Sequence, residues 1–356
     1  MLWNYLGSKQ NFLGLYQQLL KKHCQDIATA CDLFSGTGYV SSWLASQKYQ
    51  VYSNDAEFYS YVINFALLIC DYGEAIECAI NELNSLEGVE GFLYKNYTFE
   101  GTMDQEFPRM YYTKENAMMI DAMRMKIEEW HEDEIISVNE YYYLLASLII
   151  ASDKVANVAG TYGSFLKEFK TYALNQIKVE PIHKRTNKND HRVTNLDAVT
   201  FMKMFKGRTF DLIYMDPPYT KRQYNTNYHL LNIIAIYNPD LQVYGTAGLP
   251  IEENRFISSF CSTKNVDQEF LELTELIKQV SPKYLIFTYS SNGIMELEFI
   301  QKTFESLGSL ILYRIPYKNF NIKDEESQKG VMEYIFFVKV GKKAITEVVN
   351  IIDCIT

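Results

Sequence analysis

The chain of 356 residues is 47% hydrophobic and 22% charged, which suits one large or two moderate globular domains, and it contains no internal repeat or low-complexity tract. A net charge of −10 and a pI of about 5.2 exclude a globally basic nucleic-acid binder, so any basic surface must be local. Six scattered cysteines form no CxxC pair, the first residues carry no basic-then-apolar leader, and the longest apolar run, near Tyr141 to Ala151, is too short to cross a bilayer; a cytoplasmic protein without a metal is expected.

The first stretch, Asn4-Tyr-Leu-Gly-Ser-Lys9, sets a turn-permitting Gly7 and the charge of Lys9 ahead of an apolar-periodic helix, Phe12 to Leu20. Taken alone it reads as an N-terminal cap. Ile27 to Phe34 is a predicted strand, followed at once by Ser35-Gly36-Thr-Gly38 and a helix over Tyr39 to Ser46. Strand, glycine turn and helix make a nucleotide-type βα unit: the glycines admit a ligand close to the backbone, and the helix N-terminus offers free N–H groups. The third glycine of the dinucleotide fingerprint is missing, which favours a ligand without a pyrophosphate. Gln50 to Ser53 is a second short strand, ending in Asn54-Asp55. Asp55 stands about 20 positions past the glycine turn, where such folds place a ribose-hydroxyl acceptor. It is also placed to cap a helix over Glu57 to Leu68, and the two roles are compatible.

From about residue 71 to 190 the βαβ rhythm breaks. Helices are predicted over Ala75 to Leu86, Lys114 to Trp130 and Val138 to Ala151, with a loop or hairpin over Gly91 to Met103. The stretch from Ala156 to Lys167 mixes Asn157, two glycines, Tyr162 and a basic end. Between Lys154 and Arg192 the local charge balance is +5, against −10 for the chain. The interleaving of basic and aromatic residues with a Gly-Asn loop suits phosphate contact, and a solvated face is the alternative.

The rhythm resumes with a short strand, His191 to Thr194, and a helix from Asp197 to Phe205; Asp197 is read as a helix cap or as an acceptor for a purine amino group. The apolar run Leu212 to Met215 then ends in Asp216-Pro217-Pro218-Tyr219. Prolines lack the N–H that a central strand needs, so the chain must leave the sheet here, holding Asp216 and Tyr219 at a strand's carboxyl end. In open α/β sheets that edge is where ligands bind. A polar loop with Lys221, Arg222, Gln223 and Tyr224 follows, then a helix over Tyr228 to Ile236 and an irregular stretch from Asn238 to Cys261. A helix over Asp267 to Gln279, a strand over Lys283 to Tyr289, a helix to Leu307 and two last strands, Ser309 to Ile315 and Met332 to Val340, complete the chain. The fold class is α/β: a seven-stranded, mostly parallel, doubly wound Rossmann-like sheet in which the last two strands form an antiparallel edge.

These motifs, in this order, resemble the amino-group DNA methyltransferases. Asp216-Pro-Pro-Tyr219 is similar to their catalytic motif, Asn4 to Lys9 to their N-terminal cofactor motif, Asp32-Leu-Phe-Ser-Gly-Thr-Gly38 to their glycine motif and Asn54-Asp55 to their ribose motif. The order is that of the α group, the D12 class, which includes the Dam methylases. The string from Asp216 to His229 is similar to restriction-modification adenine methylases of the type that accompanies FokI-like and NlaIII-like endonucleases. The resemblance implies a discontinuous catalytic domain (1–70 and 191–345), a mainly helical target-recognition insert (71–190) and a tail (346–356). It implies S-adenosylmethionine as methyl donor and N6 of a flipped-out adenine in double-stranded DNA as acceptor, with a monomer acting beside a separate cognate endonuclease.

On that reading Asp216, Pro217, Pro218 and Tyr219 are catalytic. Tyr5, Lys9, Asp32, Phe34, Gly36, Gly38, Asp55 and Asp197 hold the cofactor, with Tyr5 and Lys9 as its lid. Asn157, Tyr162, Lys167, Lys184, Arg185, Lys188, Lys221, Arg222 and Tyr224 meet DNA. Alternatives are an RNA adenine or protein glutamine methyltransferase, classes that more often carry Asn-Pro-Pro-Tyr, and a catalytically silent DNA-binding subunit.

Overall fold

The computed structural model describes residues 5, 9–182, 189–251, 255–316 and 331–351. Its strands, in chain order, are β1 (Thr29–Asp32), β2 (Gln50–Asn54), β3 (Arg192–Thr194), β4 (Leu212–Met215), β5 (Val243–Tyr244), β6 (Leu249–Pro250), β7 (Tyr284–Ser290), β8 (Gly308–Pro316), β9 (Met332–Val340) and β10 (Thr346–Asn350). The chain forms two compact units. One gathers residues 9–56, 187–223 and 258–356, and the other residues 1–8, 57–186 and 224–257. The expected domain boundaries are thus displaced: Glu57 to Cys70 and Tyr224 to Ile257 go with the helical unit.

The first unit is built on an eight-stranded sheet in the order β10-β8-β9-β7-β4-β1-β2-β3. Neighbours from β7 to β3 run parallel, as expected. Two details differ. β9 does not form an edge with β8 but inserts between β7 and β8, antiparallel to both. An eighth strand, β10, pairs parallel with β8 in what was expected to be a tail. Thr346 to Asn350 is mostly exposed, so no apolar run marks it as a strand.

β4 is buried at every position, as a central strand between parallel neighbours must be. The core packs the Ala198–Met204 and Val266–Val280 helices on the sheet through Phe201, Met202, Phe270 and Ile277. β1, β2 and β3 are tied at their carboxyl ends by one side chain. Asn54, buried, donates to the carbonyls of Leu33 and Leu196 and accepts from the Thr194 hydroxyl.

The second unit is helical. Its core collects the apolar faces of the Phe58–Leu68, Lys114–Glu132, Val138–Lys154 and Tyr224–Ile236 helices. Ser137 and Glu140 close a capping box on the Val138–Lys154 helix, fixing where that apolar run begins. Gly91 to Met103, expected as loop or hairpin, instead forms two short helices, Phe92–Tyr97 and Phe99–Thr102, the second capped by the Thr98 hydroxyl. The stretch after Asn238 contains the β5–β6 hairpin. Buried side chains hold its turn: Tyr97 donates to the Gly248 carbonyl, Arg109 to that of Gly245, and His229 Nε2 lies 3.0 Å from that of Ala247.

Candidate active site

The glycine turn forms as the motif requires. Gly36 and Gly38 have φ of 49° and 79°, in the left-handed region that side chains disfavour. The turn closes by Gly38 N–H donating to the Ser35 carbonyl at 2.8 Å, and Gly38 caps the Tyr39–Ser46 helix. Asp55 accepts the Gly36 N–H at 2.7 Å, so the acid at the end of β2 is oriented by the turn itself.

Asp32, at the end of β1, is fully buried. Its Oδ2 accepts the Ser41 hydroxyl at 2.7 Å, and its Oδ1 has no partner among the described residues. Burial pushes its pKa up to about 7; the charges of Asp216 and Asp55 add to the rise, while the Ser41 hydroxyl opposes it. Ser35 Oγ is a second buried oxygen without a partner at the same turn. Unanswered buried polar atoms beside a glycine turn fit a ligand with donors of its own. The ammonium and ribose hydroxyls of S-adenosylmethionine are such donors. Phe34, half-buried, meets the edge of Phe260 at 5.3 Å. Asp197 accepts the Thr200 N–H, so its cap reading holds.

The second half of the site lies where β4 ends. Met215 pairs with Phe287 on β7, so the next residues on the two strands, Asp216 and Thr288, come level. The Thr288 hydroxyl donates to Asp216 Oδ1 at 2.7 Å. The Lys9 ammonium lies 3.2 Å from the same oxygen. No hydrogen bond falls on Oδ2 among the described residues. Tyr219 is held by its backbone and its ring. Its carbonyl accepts the Ile294 N–H at 3.0 Å, and its ring meets Tyr289 edge-on at 6.0 Å. Gly293 makes room for Tyr289: a Cβ there would lie 2.1 Å from that ring.

Lys9 is the main correction at this site. Expected as part of a lid over the cofactor, it is buried and set between two carboxylates, Asp216 and Glu333, at 3.2 and 3.5 Å. Burial works against its charge, but Asp216 and Glu333 outweigh it and hold its pKa well above the ordinary lysine value. Sequence reasoning missed Glu333 and Thr288. The available signal for Glu333 was one acid inside the apolar run Val331 to Val340.

In the helical unit, Tyr5 stacks on Tyr228 at 4.5 Å and lies 6.3 Å from Tyr224. Two expected DNA contacts are structural instead. Asn157 is fully buried and donates to the carbonyls of Met110 and Leu166 while accepting the Lys170 N–H. Tyr162, also buried, donates to Asp153 at 2.6 Å. Loop composition suggested a DNA face; instead Asn157 turns inward to backbone groups and Tyr162 to the Asp153 carboxylate, since buried polar groups must be paired. Lys167, Lys221 and Arg222 are exposed and Tyr224 is half-buried. Lys184, Arg185 and Lys188 lie outside the described residues. Two cations of this stretch are paired with acids that its +5 balance already counts: Lys154 with Glu180 at 2.7 Å and Arg192 with Asp190 at 3.7 Å.

A family model, the D12 class N6 adenine-specific DNA methyltransferases, matches residues 5–289. The chain belongs to this family. It is 35% identical to the type II methyltransferase M.NlaIII of Neisseria lactamica over 94% of this chain and 99% of that one. It is 34% identical to M.FokI of Planomicrobium okeanokoites, over 94% of this chain and 52% of that longer protein. It is 32% identical to M.CviAII of Paramecium bursaria Chlorella virus 1, over 94% and 98%. The family decides between the open readings: the enzyme transfers a methyl group from S-adenosylmethionine to N6 of adenine in DNA, and the RNA, protein and silent-subunit alternatives give way. Among the described residues no helix is long and apolar enough to cross a membrane.

Proposed function

We propose that this DNA adenine methyltransferase is the modification half of a restriction-modification pair. It acts as a cytoplasmic monomer on an adenine turned out of the duplex, with Asp216 and the Pro217 carbonyl receiving the amino group. The relatives' names as type II and modification methylases support the biological role. The observation that carries the chemical role is the pinning of Asp216: Thr288 and Lys9 both engage Oδ1, which leaves Oδ2 for a substrate N–H.

The difficulty is the acceptor. The lone pair of an exocyclic amine is delocalised into its ring, so the nitrogen is a poor nucleophile. Two acceptors aimed at its N–H bonds draw it towards tetrahedral geometry and stabilise the positive charge that grows on it, an interaction strongest in the transition state. Asp216 therefore acts as an acceptor rather than as a strong base, because the proton can leave after the methyl has been transferred. Pro218 fixes the turn that presents Tyr219. The Tyr219 ring, backed by Tyr289, offers a stacking platform worth roughly 1–3 kcal/mol, which offsets part of the cost of extruding the base.

S-adenosylmethionine, when bound, supplies an electrophilic methyl on a sulfonium. The backbone at Gly36 and Gly38, Asp32, Asp55, Asp197 and the Phe34 edge would hold it. Lys167, Lys221, Arg222 and Tyr224 would meet the DNA.

The test is Asp216→Ala, assayed with labelled S-adenosylmethionine and duplex DNA. Methyl transfer should fall at least ~10²–10³-fold, while cofactor affinity stays near wild type. A variant that still transfers methyl at a comparable rate would refute the role.

A further inference from the structure

Glu333 belongs to none of the sequence motifs and lies beyond the span matched to the family, which ends at residue 289. Burial alternates over the first residues of β9, with Glu333 and Ile335 buried and Met332 and Tyr334 half-exposed, before a fully buried run from Ile335 to Val338. Glu333 is opposite Ser290 on β7 and Ile315 on β8, inside the sheet rather than at its edge. A carboxylate in such a place is costly unless a cation answers it. Lys9 answers only in part. Its ammonium lies 3.5 Å from Glu333 Oε1, but it is shared with Asp216, and Glu333 Oε2 is buried with no partner among the described residues. One positive charge therefore faces two carboxylates. Asp32 from β1, Tyr16 from the Leu13–His23 helix, Tyr214 from β4 and Tyr219 face the same group, and none of them adds a cation.

For the fold alone, a closed Lys9–Asp216 pair would serve better than this over-acidic cluster. For an acceptor it would serve worse, because a cation bound to Asp216 alone cancels the charge that must stabilise a positive nitrogen. We propose that Glu333 is a positioning residue for methyl transfer: it shares the Lys9 ammonium, so that Lys9 orients Asp216 without neutralising it. This rests on the reading of Asp216 as the acceptor of the adenine amino group. Burial, with the Asp216 charge adding to it, holds the Glu333 pKa above the usual range although the Lys9 ammonium opposes the rise, consistent with a group retained against its own solvation.

Glu333→Gln keeps the size and removes the charge. The full chain is assayed by single-turnover methyl transfer to duplex DNA from about pH 5 to about pH 9, with cofactor Kd, KM for DNA and thermal unfolding measured on the same protein. The rate constant should fall about ten- to hundredfold, below the ~10²–10³ expected for a group touching the reacting atoms. Cofactor Kd and KM for DNA should stay within about twofold of wild type. The acidic limb of the rate profile should move to lower pH, because a like charge beside Asp216 has gone. Glu333→Asp should recover much of the rate.

A wild-type rate with an unmoved limb would overturn the proposal. So would a loss that lies in cofactor Kd or in unfolding at the assay temperature, since Glu333 would then be structural. Asp216→Ala, which removes the acceptor, separates the two readings in the same assay. If it stays active, the acceptor reading fails; if it is inactive while Glu333→Gln is unaffected, the present inference alone fails.

Discussion

The carboxylates and amides at the heart of the helical core are used differently from those around the glycine turn and Asp216. In the helical unit, Asp121 accepts from the N–H groups of Leu93 and Tyr94 and from the Tyr237 hydroxyl. Arg124 donates to the carbonyls of Ile234 and Ala235 and pairs with Glu128. Asn157 uses both ends of its amide on backbone groups. In the sheet unit, Asp32, Ser35 and Glu333 each keep a buried oxygen without a partner among the described residues, and one ammonium faces two carboxylates. Unused hydrogen-bonding capacity in a core costs stability. Saturated groups are therefore the ones that build a fold, and under-satisfied ones are where a ligand or a reaction supplies the missing partner. Exceptions occur: in the helical unit Arg109 Nε, Tyr112 Oη and Asn227 Oδ1 also lack a partner among the described residues, and in the sheet unit so do Ser42 Oγ and Arg314 Nε.

If that contrast is right, the largest loss of stability should come from the helical unit. Asp121→Ala leaves three donors unanswered in a core and should cost about 3–5 kcal/mol in urea unfolding. A cost under about 1 kcal/mol would mean that the saturated network is not what holds the helices together. Asp32 should behave in the opposite sense. Its folded pKa of about 7 lies above the ordinary carboxylate value, so the folded protein keeps this proton longer than the unfolded chain does. The contribution from this group is fully present below about pH 4 and is lost as pH rises towards 7. Asp32→Asn removes the titration. Its stability relative to wild type should therefore grow by about 2 kcal/mol between about pH 5 and about pH 8, read from thermal unfolding at the two values. Cofactor affinity should fall at the same time. A pH-independent difference would remove Asp32 from the under-satisfied class. Smaller again is Gly293→Ala. The new Cβ would press on the Tyr289 ring, which must shift and take the edge of its contact with Tyr219 along. Single-turnover transfer should drop by roughly tenfold, about 1.4 kcal/mol, with cofactor affinity unchanged. An unaltered rate would show that Tyr219 needs no backing.

How much was legible in the sequence follows the same division. The parallel strands and the glycine turn were readable because their signals are local: an apolar run stopped by prolines, and glycines at positive φ. The partners of Asp216 were not. Lys9, Thr288 and Glu333 come from 207 positions upstream to 117 downstream of it, and only the tertiary fold, through the β4–β7–β9 register for the last two, brings them together. β10 was missed because an exposed, two-sided strand carries no period-2 pattern. Asn157 and Tyr162 were misread because a Gly-Asn loop with an aromatic looks the same whether its side chains bind DNA or pair with buried groups inside the unit.

The smallest effect is expected on the basic stretch, where the contrast can be drawn between two lysines of one unit. Lys154 is matched to Glu180 at 2.7 Å, whereas Lys167 is exposed and makes no ion pair among the described residues. Composition counts them equally, but a phosphate would have to compete with Glu180 for the first and would meet the second directly. Binding to DNA releases about one counterion for each phosphate that a cation neutralises, so the slope of log K against log salt counts the lysines used. Lys167→Ala should flatten that slope by about 1, equally for all sequences, and Lys154→Ala should leave it unchanged. Equal slopes for both variants and the wild type would return the whole stretch to a solvated surface, and DNA affinity would then rest on the loop carrying Lys221 and Arg222. An equal loss for both would mean that the Lys154–Glu180 pair opens on DNA, and that ion pairs drawn in the free enzyme do not predict which charges reach the phosphates.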